Sequence, residues 1–372
     1  MKTITPLCLA AAVAGLLPAP IALAASEHFE DPAAFAPMGD YTGRFSGPQK
    51  TYYTDTFPLL AAQILNIEGN RYRVRFVPQL NARGEVYSEI DGQLRGNVLA
   101  FAGNGWEGEA KDGVLSGKAS FEGQNLTFQL RKTEAKPANL GLKPPAGAIV
   151  LFDGSSLGAW QHMDGRPNTW RIVDGAMEVV SGSWNNGENG RRGLGGDLRT
   201  KQNFKDVRLH IEFRYPVEPG KNGQGRGNSG VFLQGDQYEV QILNSYGLDG
   251  DWRECGALYK HSAPFVNAAL PPLQWQAYDI EYYAPRYDAS GKLKTLPVIS
   301  IVHNDQMIHQ MEEITHPTSH HIDGRKGTPP KDPAPIRLQD HGNAIQFRNI
   351  WAIDLEKNPQ ASRARPRYLD GQ

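Results

Sequence analysis

Apolar and polar residues alternate with a period of two along most of the chain, which is typical of β-strands with one buried face. The pattern is clear in the first region, where Tyr72, Val74 and Phe76 are separated by arginines. No segment there has the 3.6-residue period of a helix. Further strands are predicted at 61–67, 94–101, 106–110, 114–121 and 126–130. We therefore expect a small antiparallel β domain over residues 25–131, folded as a meander or partial barrel.

A second β-rich region follows a proline-containing segment. Residues 132–147 hold three prolines and no hydrophobic period, which predicts a semi-rigid linker. Beyond it, strands are predicted at 170–173, 177–180, 207–215, 230–233, 238–243, 275–283, 298–303, 307–311 and 346–353. Many short strands with glycine-rich loops favour a two-sheet sandwich or jelly roll over residues 148–356. A polar tail, 357–372, completes the chain.

The N-terminus has the pattern of a secretory signal peptide. Lys2 precedes an apolar run over 7–23, and Ala22-Leu23-Ala24 fits the cleavage rule, which predicts removal of residues 1–24. We expect an exported, periplasmic or secreted protein, and no later stretch is long and apolar enough to span a membrane. Cleavage would leave Cys255 as the only cysteine, so we expect a buried thiol and no intrachain disulfide.

Composition narrows the classes of partner. Lys and Arg number 39 against 40 Asp and Glu, a net charge of −1, so nucleic acid is an unfavoured partner. The glycine-rich run 225–230 lacks the Lys-Ser/Thr of a phosphate loop and precedes a strand, which argues against nucleotide binding. The spacing of His316, His320 and His321 matches no standard metal motif, and a solvated loop is the simpler interpretation.

The segment 238–243 carries the most informative chemistry. In a strand, Tyr238, Val240 and Ile242 would share one face, and Glu239 and Gln241 the other. Two polar side chains on one sheet face suit the floor of a saccharide groove, although an ordinary exposed face remains the alternative. Retaining glycoside hydrolysis needs two carboxyl groups about 5–5.5 Å apart. The strand supplies one acid, which disfavours that mechanism.

Two other segments combine groups that suit a sugar site. Asp340 and His341 precede a strand, so Asp340 would orient His341 as a base, or His341 would donate to substrate. The alternative is that Asp340 and Asn343 cap a turn. The segments 184–190 and 252–254 combine tryptophan with Asn, Arg or Glu. Such side chains suit the apolar faces and the hydroxyls of sugar rings, and tryptophans that anchor the loops by packing are an equally good interpretation.

An ordered set of segments resembles the 3-keto-disaccharide hydrolase domain family, which has a concanavalin-like jelly roll. The matching segments are 151–160 (LFDGSSLGAW), 227–231 (GNSGV), 238–247 (YEVQILNSYG), 255–259 (CGALY), 338–343 (LQDHGN) and 347–351 (FRNIW). The resemblance spans about 148–355 and does not extend to 25–131. The insertions 284–297 and 320–335 look longer than the family needs, so the size of the substrate stays open.

The resemblance implies cleavage of glycosides already oxidised to a ketone at C3. Such a ketone acidifies the C2 proton, a base removes it to give an enediolate, and the C1 substituent leaves by elimination. Addition of water then gives net hydrolysis. This route needs one base, an oxyanion stabiliser and an acid, not paired carboxylates. A divalent cation bridging the C2 and C3 oxygens would stabilise the enediolate, but the sequence does not establish one.

We therefore expect an exported enzyme that acts on 3-keto-glycosides. Glu239 and His341, with Asp340, are the acid–base candidates. The candidates for binding substrate are Asn228, Gln241, Arg253, Tyr259, His261 and Arg348. A non-catalytic lectin-like module is the main alternative, since sandwiches of this shape often only bind glycans. The first domain would be a glycan-binding accessory, a dimerisation element or a groove wall.

Overall fold

The computed structural model describes residues 35–81, 84–181, 195–318, 329–363 and 366. The predicted signal peptide, the loop 184–190 and His320 and His321 lie outside these ranges. Nearly all regular structure is β, which confirms the all-β prediction. The short helical turns are Tyr52–Thr56, Gly223–Gly225 and Pro359–Ala361. Within the described ranges, no helix is both long and apolar enough to cross a membrane.

The first eight strands close into an antiparallel barrel, because β1 pairs with both β2 and β8. They are β1 Gly39–Ser46, β2 Leu59–Glu68, β3 Arg71–Val77, β4 Ser88–Arg95, β5 Val98–Gly103, β6 Trp106–Lys111, β7 Val114–Phe121 and β8 Gln124–Thr133. Aromatic and aliphatic side chains fill the interior. Gly43 lets β1 close the barrel, since a Cβ there would lie 2.1 Å from the carbonyl oxygen of Gln129. Closure leaves no exposed edge strand.

The second region is a sandwich of two antiparallel sheets. The five-stranded sheet has the order β10-β13-β22-β15-β16, and the eight-stranded sheet the order β11-β12-β23-β14-β17-β20-β21, with β9 paired to β23. A separate hairpin joins β18 and β19. The bounds are β9 Ile149–Phe152, β10 Trp160–His162, β11 Arg171–Val173, β12 Ala176–Glu178, β13 Leu198–Phe204, β14 Val207–Arg214, β15 Ser229–Leu233, β16 Tyr238–Ile242, β17 Gln276–Tyr283, β18 Arg286–Tyr287, β19 Leu293–Thr295, β20 Val298–His303, β21 Gln306–Glu313, β22 Ala334–Leu338 and β23 Gln346–Asp354.

The sandwich core forms between the inner faces of the two sheets. The five-stranded sheet contributes side chains such as Val231, Val240 and Leu338, and the larger sheet contributes Ile211 and Ile280, all at most 1% exposed. Alternation then fixes the outer face of the five-stranded sheet, which carries its polar side chains. This outer face holds the candidate site.

The segment after the barrel is bound to the larger sheet. Asn139 donates to Asp279 at 3.1 Å, and the backbone N–H of Gly141 donates to Glu212 at 2.6 Å. Both carboxylates also contact His210, which is fully buried and stacks on Trp351. Within the predicted linker 132–147, these contacts hold the part around residues 139–141 against the outside of the sandwich.

The barrel contacts the loop that follows β16. Tyr246 donates to Asp40 at 2.8 Å, and Arg75, which is 6% exposed, binds the carbonyl of Gly247 and the carboxylate of Asp249. Leu65 packs on Gly247 so closely that a Cβ there would lie 2.5 Å from it. The barrel therefore fixes the turn that leaves the strand bearing Glu239.

Candidate active site

One row of directly opposed residues crosses all five strands of the smaller sheet. Cross-strand partners link Gln161 to Arg199, Arg199 to Arg337, Arg337 to Phe232, and Phe232 to Glu239. We call these five residues the transverse row. Side chains that oppose each other in a sheet interact directly. The row thus brings two guanidinium groups, an aromatic ring and a carboxyl group onto the outer face.

Glu239 occupies a tight, water-poor position at the end of the row. It is 3% exposed, and a Cβ at Gly230 would lie 2.6 Å from its Oε1, so a larger residue at position 230 would force the carboxyl group to move. When the side-chain amide of Gln241 is oriented with its nitrogen toward Glu239, it donates a hydrogen bond to Glu239 Oε1 at 3.1 Å. Burial raises the pKa of Glu239 from 4.5 to about 8, although Arg337 and Lys260 oppose the rise. A group that titrates near neutrality suits proton transfer.

Arg337 lies beside this carboxyl group with half of its guanidinium unpartnered. It is 7% exposed, its Nη1 donates to Asp197 at 2.8 Å, and its plane stacks over Phe232 with the Cζ atom 3.5 Å from the ring centroid. Its Nε and Nη2 atoms are buried and have no hydrogen-bond partner among the residues that the structure describes. Buried guanidinium N–H groups are costly without an acceptor, so this edge of Arg337 is suited to the oxygens of a ligand or of water.

The segment 252–262 covers the free edge of β16. The backbone of Gln241 exchanges hydrogen bonds with Gly256 and Ala257 at 2.9 and 3.0 Å, and Tyr259 N donates to the carbonyl of Glu239 at 3.1 Å. Lys260 adopts a left-handed backbone conformation, with φ of 58°, and its ammonium lies 5.5 Å from the Tyr259 ring centroid. This segment thus brings a cation close enough to favour the ionised form of Glu239.

Predicted binding residues form part of the same neighbourhood. Asn228 is buried, and its side chain donates to the carbonyl of Gln224 at 2.7 Å. Gln224 in turn donates to the carbonyl of Arg253 at 3.0 Å. The Arg253 side chain is exposed and pairs with Asp251 at 3.1 Å. Asn228 and Gln241 therefore line the floor, and Arg253 lies at the rim.

The structure gives Asp340 a different role from the one expected. Its carboxylate accepts hydrogen bonds from Ser181 at 2.8 Å, from Gly196 N at 2.8 Å and from Gly342 N at 3.0 Å. These donors hold the turn and the neighbouring loop, as in the turn-capping alternative, and none of them is His341. The imidazole of His341 is exposed. Among the described residues, no carboxylate bonds to His341 and orients its imidazole.

His261 and Arg348 point to other parts of the sandwich. His261 contacts Thr315 at 3.2 Å and Glu312 at 3.5 Å, and Glu312 also accepts from His309 at 2.6 Å. Arg348 lies in β23 on the outside of the larger sheet, where it donates to Glu212 at 2.6 Å. The structure therefore does not bring Arg348 together with Glu239.

Several site residues were missed from the sequence. Arg337 and Arg199 lie in β22 and β13, two strands that the hydrophobic pattern did not reveal. The available signal was the alternation of Ile336 and Leu338 with Arg337. Among the residues the structure describes, no group of three or more His, Cys, Asp or Glu side chains is arranged to hold a metal ion.

Comparison with known proteins agrees with this architecture. A family model described as 3-keto-alpha-glucoside-1,2-lyase-like domain matches residues 147–353, more than half of the chain. The solved structure of a candidate glycosyl hydrolase from Parabacteroides distasonis is 36% identical, with 57% of this chain and 85% of that chain covered and a TM-score of 0.50. A second candidate glycosyl hydrolase from the same organism is 18% identical, covering 56% and 94%, with a TM-score of 0.39. No curated protein matches the chain.

Proposed function

The chain belongs to the 3-keto-alpha-glucoside-1,2-lyase-like domain family, and we propose that it is a carbohydrate-active enzyme that cleaves 3-keto-glycosides. The similarity to a candidate glycosyl hydrolase supports the broader class of activity. The predicted signal peptide supports action outside the cytoplasm, in the periplasm or after secretion.

The observation that carries the proposal is the environment of Glu239. A carboxyl group that is 3% exposed, with its pKa raised by burial to about 8, changes protonation within the range in which enzymes work. In its ionised form it is a stronger base than an ordinary carboxylate, which the weakly acidic C2–H of a ketosugar requires. A site that only bound sugar would gain nothing from a buried carboxyl group whose pKa lies close to the working pH.

The proposed reaction runs through proton removal at C2. Glu239 takes the C2 proton of the 3-keto unit, and the C–H electron pair moves to form a C2–C3 double bond with negative charge on the C3 oxygen. The C3 carbonyl then re-forms, the electron pair of the C2–C3 double bond moves to make a C1–C2 double bond, and the C1–O bond breaks. The departing oxygen takes up a proton and Glu239 gives up the one that it took from C2, which restores the carboxylate. Water added across the new double bond then gives net hydrolysis. One carboxyl group is enough for this route.

The test compares an oxidised substrate with its parent. Purified protein would be incubated with a 3-keto-disaccharide and with the unoxidised disaccharide, each with and without a chelator. We expect release of a 3-keto sugar, or its unsaturated elimination product, from the first substrate alone. Equal cleavage of both disaccharides would indicate an ordinary glycosidase, and binding without cleavage would indicate a lectin-like module. Loss of activity with the chelator would establish a divalent cation in the reaction.

A further inference from the structure

Arg337 presents beside Glu239 a pair of N–H donors that bond to none of the described residues, and we infer that this pair binds the C2 and C3 oxygens of the sugar as the enediolate forms. The inference rests on the proposed function. The sequence patterns did not identify Arg337 as a site residue. What distinguishes it is the combination of burial, missing partners and position in the transverse row.

The geometry of the guanidinium defines what it can bind. The Nη1 atom is used by Asp197, and the flat face is covered by the Phe232 ring. The Nε and Nη2 hydrogens point the same way along one edge of the plane, and neither atom bonds to a residue in the described ranges. This edge fits two neighbouring oxygens in one plane, which is how arginine binds carboxylates. An enediolate presents the same pattern, with two oxygens on adjacent sp² carbons.

The position along the row places this edge within reach of Glu239. Strands in a sheet are about 4.8 Å apart, so the backbones of β22 and β16 are roughly 10 Å apart across β15. Arg337 extends over Phe232 of β15 and so covers about half of that distance. A sugar ring between the two side chains would present C2–H to Glu239 and its oxygens to Arg337.

The movement of charge during proton transfer also favours Arg337 as the group that binds the enediolate oxygens. When Glu239 takes the C2 proton it becomes neutral, and one negative charge appears on the substrate oxygens. Asp197 already compensates part of the charge of Arg337, while Arg199, opposite Arg337 in β13, adds a second cation. The total charge on this face stays constant during the step, and fixed cations stand where the new charge develops. Such preorganised donors are the usual means of stabilising an oxyanion.

The experiment uses the full-length protein with Arg337→Ala, Arg337→Lys and Asp197→Asn. Deuterium incorporation at C2 of a 3-keto-disaccharide in D₂O reports enediolate formation, and product release reports cleavage. We expect Arg337→Ala to slow both by about 10²–10³-fold, mainly through kcat. Arg337→Lys keeps the positive charge but lacks the edge with two N–H donors, so it should recover only part of the lost rate. Millimolar guanidinium, below denaturing concentrations, should restore Arg337→Ala at least about tenfold.

Two controls separate the possible failures. Asp197→Asn breaks the ion pair but keeps the guanidinium, so it should retain exchange within about tenfold of wild type, whereas Arg337→Ala should not. Guanidinium should not rescue Glu239→Gln. Exchange in Arg337→Ala within threefold of wild type, or a loss confined to KM, would overturn the inference while leaving the proposed function intact. No exchange or cleavage by the wild-type enzyme would overturn the proposed function itself.

Discussion

Replacing Glu239 by glutamine should stabilise the fold at high pH while it slows turnover. The carboxyl group is 3% exposed, and burial raises its pKa from 4.5 to about 8. Between these values the folded protein keeps a proton that the unfolded chain has lost. Stability therefore falls as pH rises through this window, and the loss is complete above about pH 8. Glutamine occupies the same space and never ionises.

The size of the effect follows from the pKa difference. At about 1.4 kcal/mol per pH unit, a rise from 4.5 to about 8 corresponds to roughly 5 kcal/mol when Glu239 is fully ionised. Structural relaxation and water entry around the charge would reduce this figure, so we expect a gain of about 2–5 kcal/mol for Glu239→Gln at pH 9. Below pH 4.5 both proteins carry a neutral side chain and should be nearly equal in stability.

The assay is urea unfolding of both proteins at intervals from pH 4 to pH 9. Only the difference between the two proteins matters, because all other titrating groups are shared. Glu107→Gln, whose side chain is 65% exposed on the barrel, controls for loss of a carboxylate without loss of a buried one. A constant difference between wild type and Glu239→Gln across the whole range would refute the claim that Glu239 is buried with a raised pKa.

Three further outcomes are expected. Gly230→Ala places a Cβ 2.6 Å from Glu239 Oε1, so kcat should fall by roughly 10–100-fold through misplacement of the carboxyl group; steady-state kinetics would show this, and wild-type rates would contradict it. Burial raises the pKa of Glu312, but hydrogen bonds from His261 and His309 outweigh burial and lower it. The stability advantage of wild type over Glu312→Gln should therefore shrink as pH falls below 4.5, and a growing advantage in acid unfolding would oppose this. Burial raises the pKa of the Cys255 thiol to about 11, so mass spectrometry should find it unmodified by a thiol reagent at pH 8 until the protein unfolds.

The two-residue period predicted the faces of β16 correctly. Tyr238, Val240 and Ile242 are in the core, and Glu239 and Gln241 lie on the other side. This succeeded because one face of the strand is continuously apolar, which leaves a single register that buries it. The barrel strands β2, β3, β6, β7 and β8 were predicted for the same reason, since their interior positions are large and apolar. Strand β1 was missed, and the single strand predicted at 94–101 spans the end of β4, a turn and most of β5.

The period could not tell which sheet a strand joins. Phe347 and Arg348 alternate as expected, but β23 belongs to the larger sheet, so Arg348 faces away from Glu239. Sheet membership depends on pairings between strands far apart in sequence, as β13 and β22 also show. Strand β13 has few apolar residues and β22 is only five residues long, and their arginines became recognisable as site residues only once the register placed them opposite each other.

Local sequence also failed to identify the partners of Asp340. An acid next to a histidine suggests a hydrogen-bonded pair, whereas the carboxylate is occupied by Ser181, Gly196 and Gly342. Two of these donors are more than 140 positions away in the chain. The bond from Gly342 N–H is the local contact typical of Asp in turns, whereas Ser181 and Gly196 are brought to the carboxylate only by the tertiary fold.

The central claim is that Glu239 transfers the C2 proton of a 3-keto-glycoside. Proton NMR of the substrate in D₂O tests it directly, because loss of the C2 signal is observed whether or not the C1–O bond then breaks. We predict rapid exchange with wild type and exchange slower by about 10²–10⁴-fold with Glu239→Gln. Undiminished C2 exchange by a folded Glu239→Gln protein would contradict the claim.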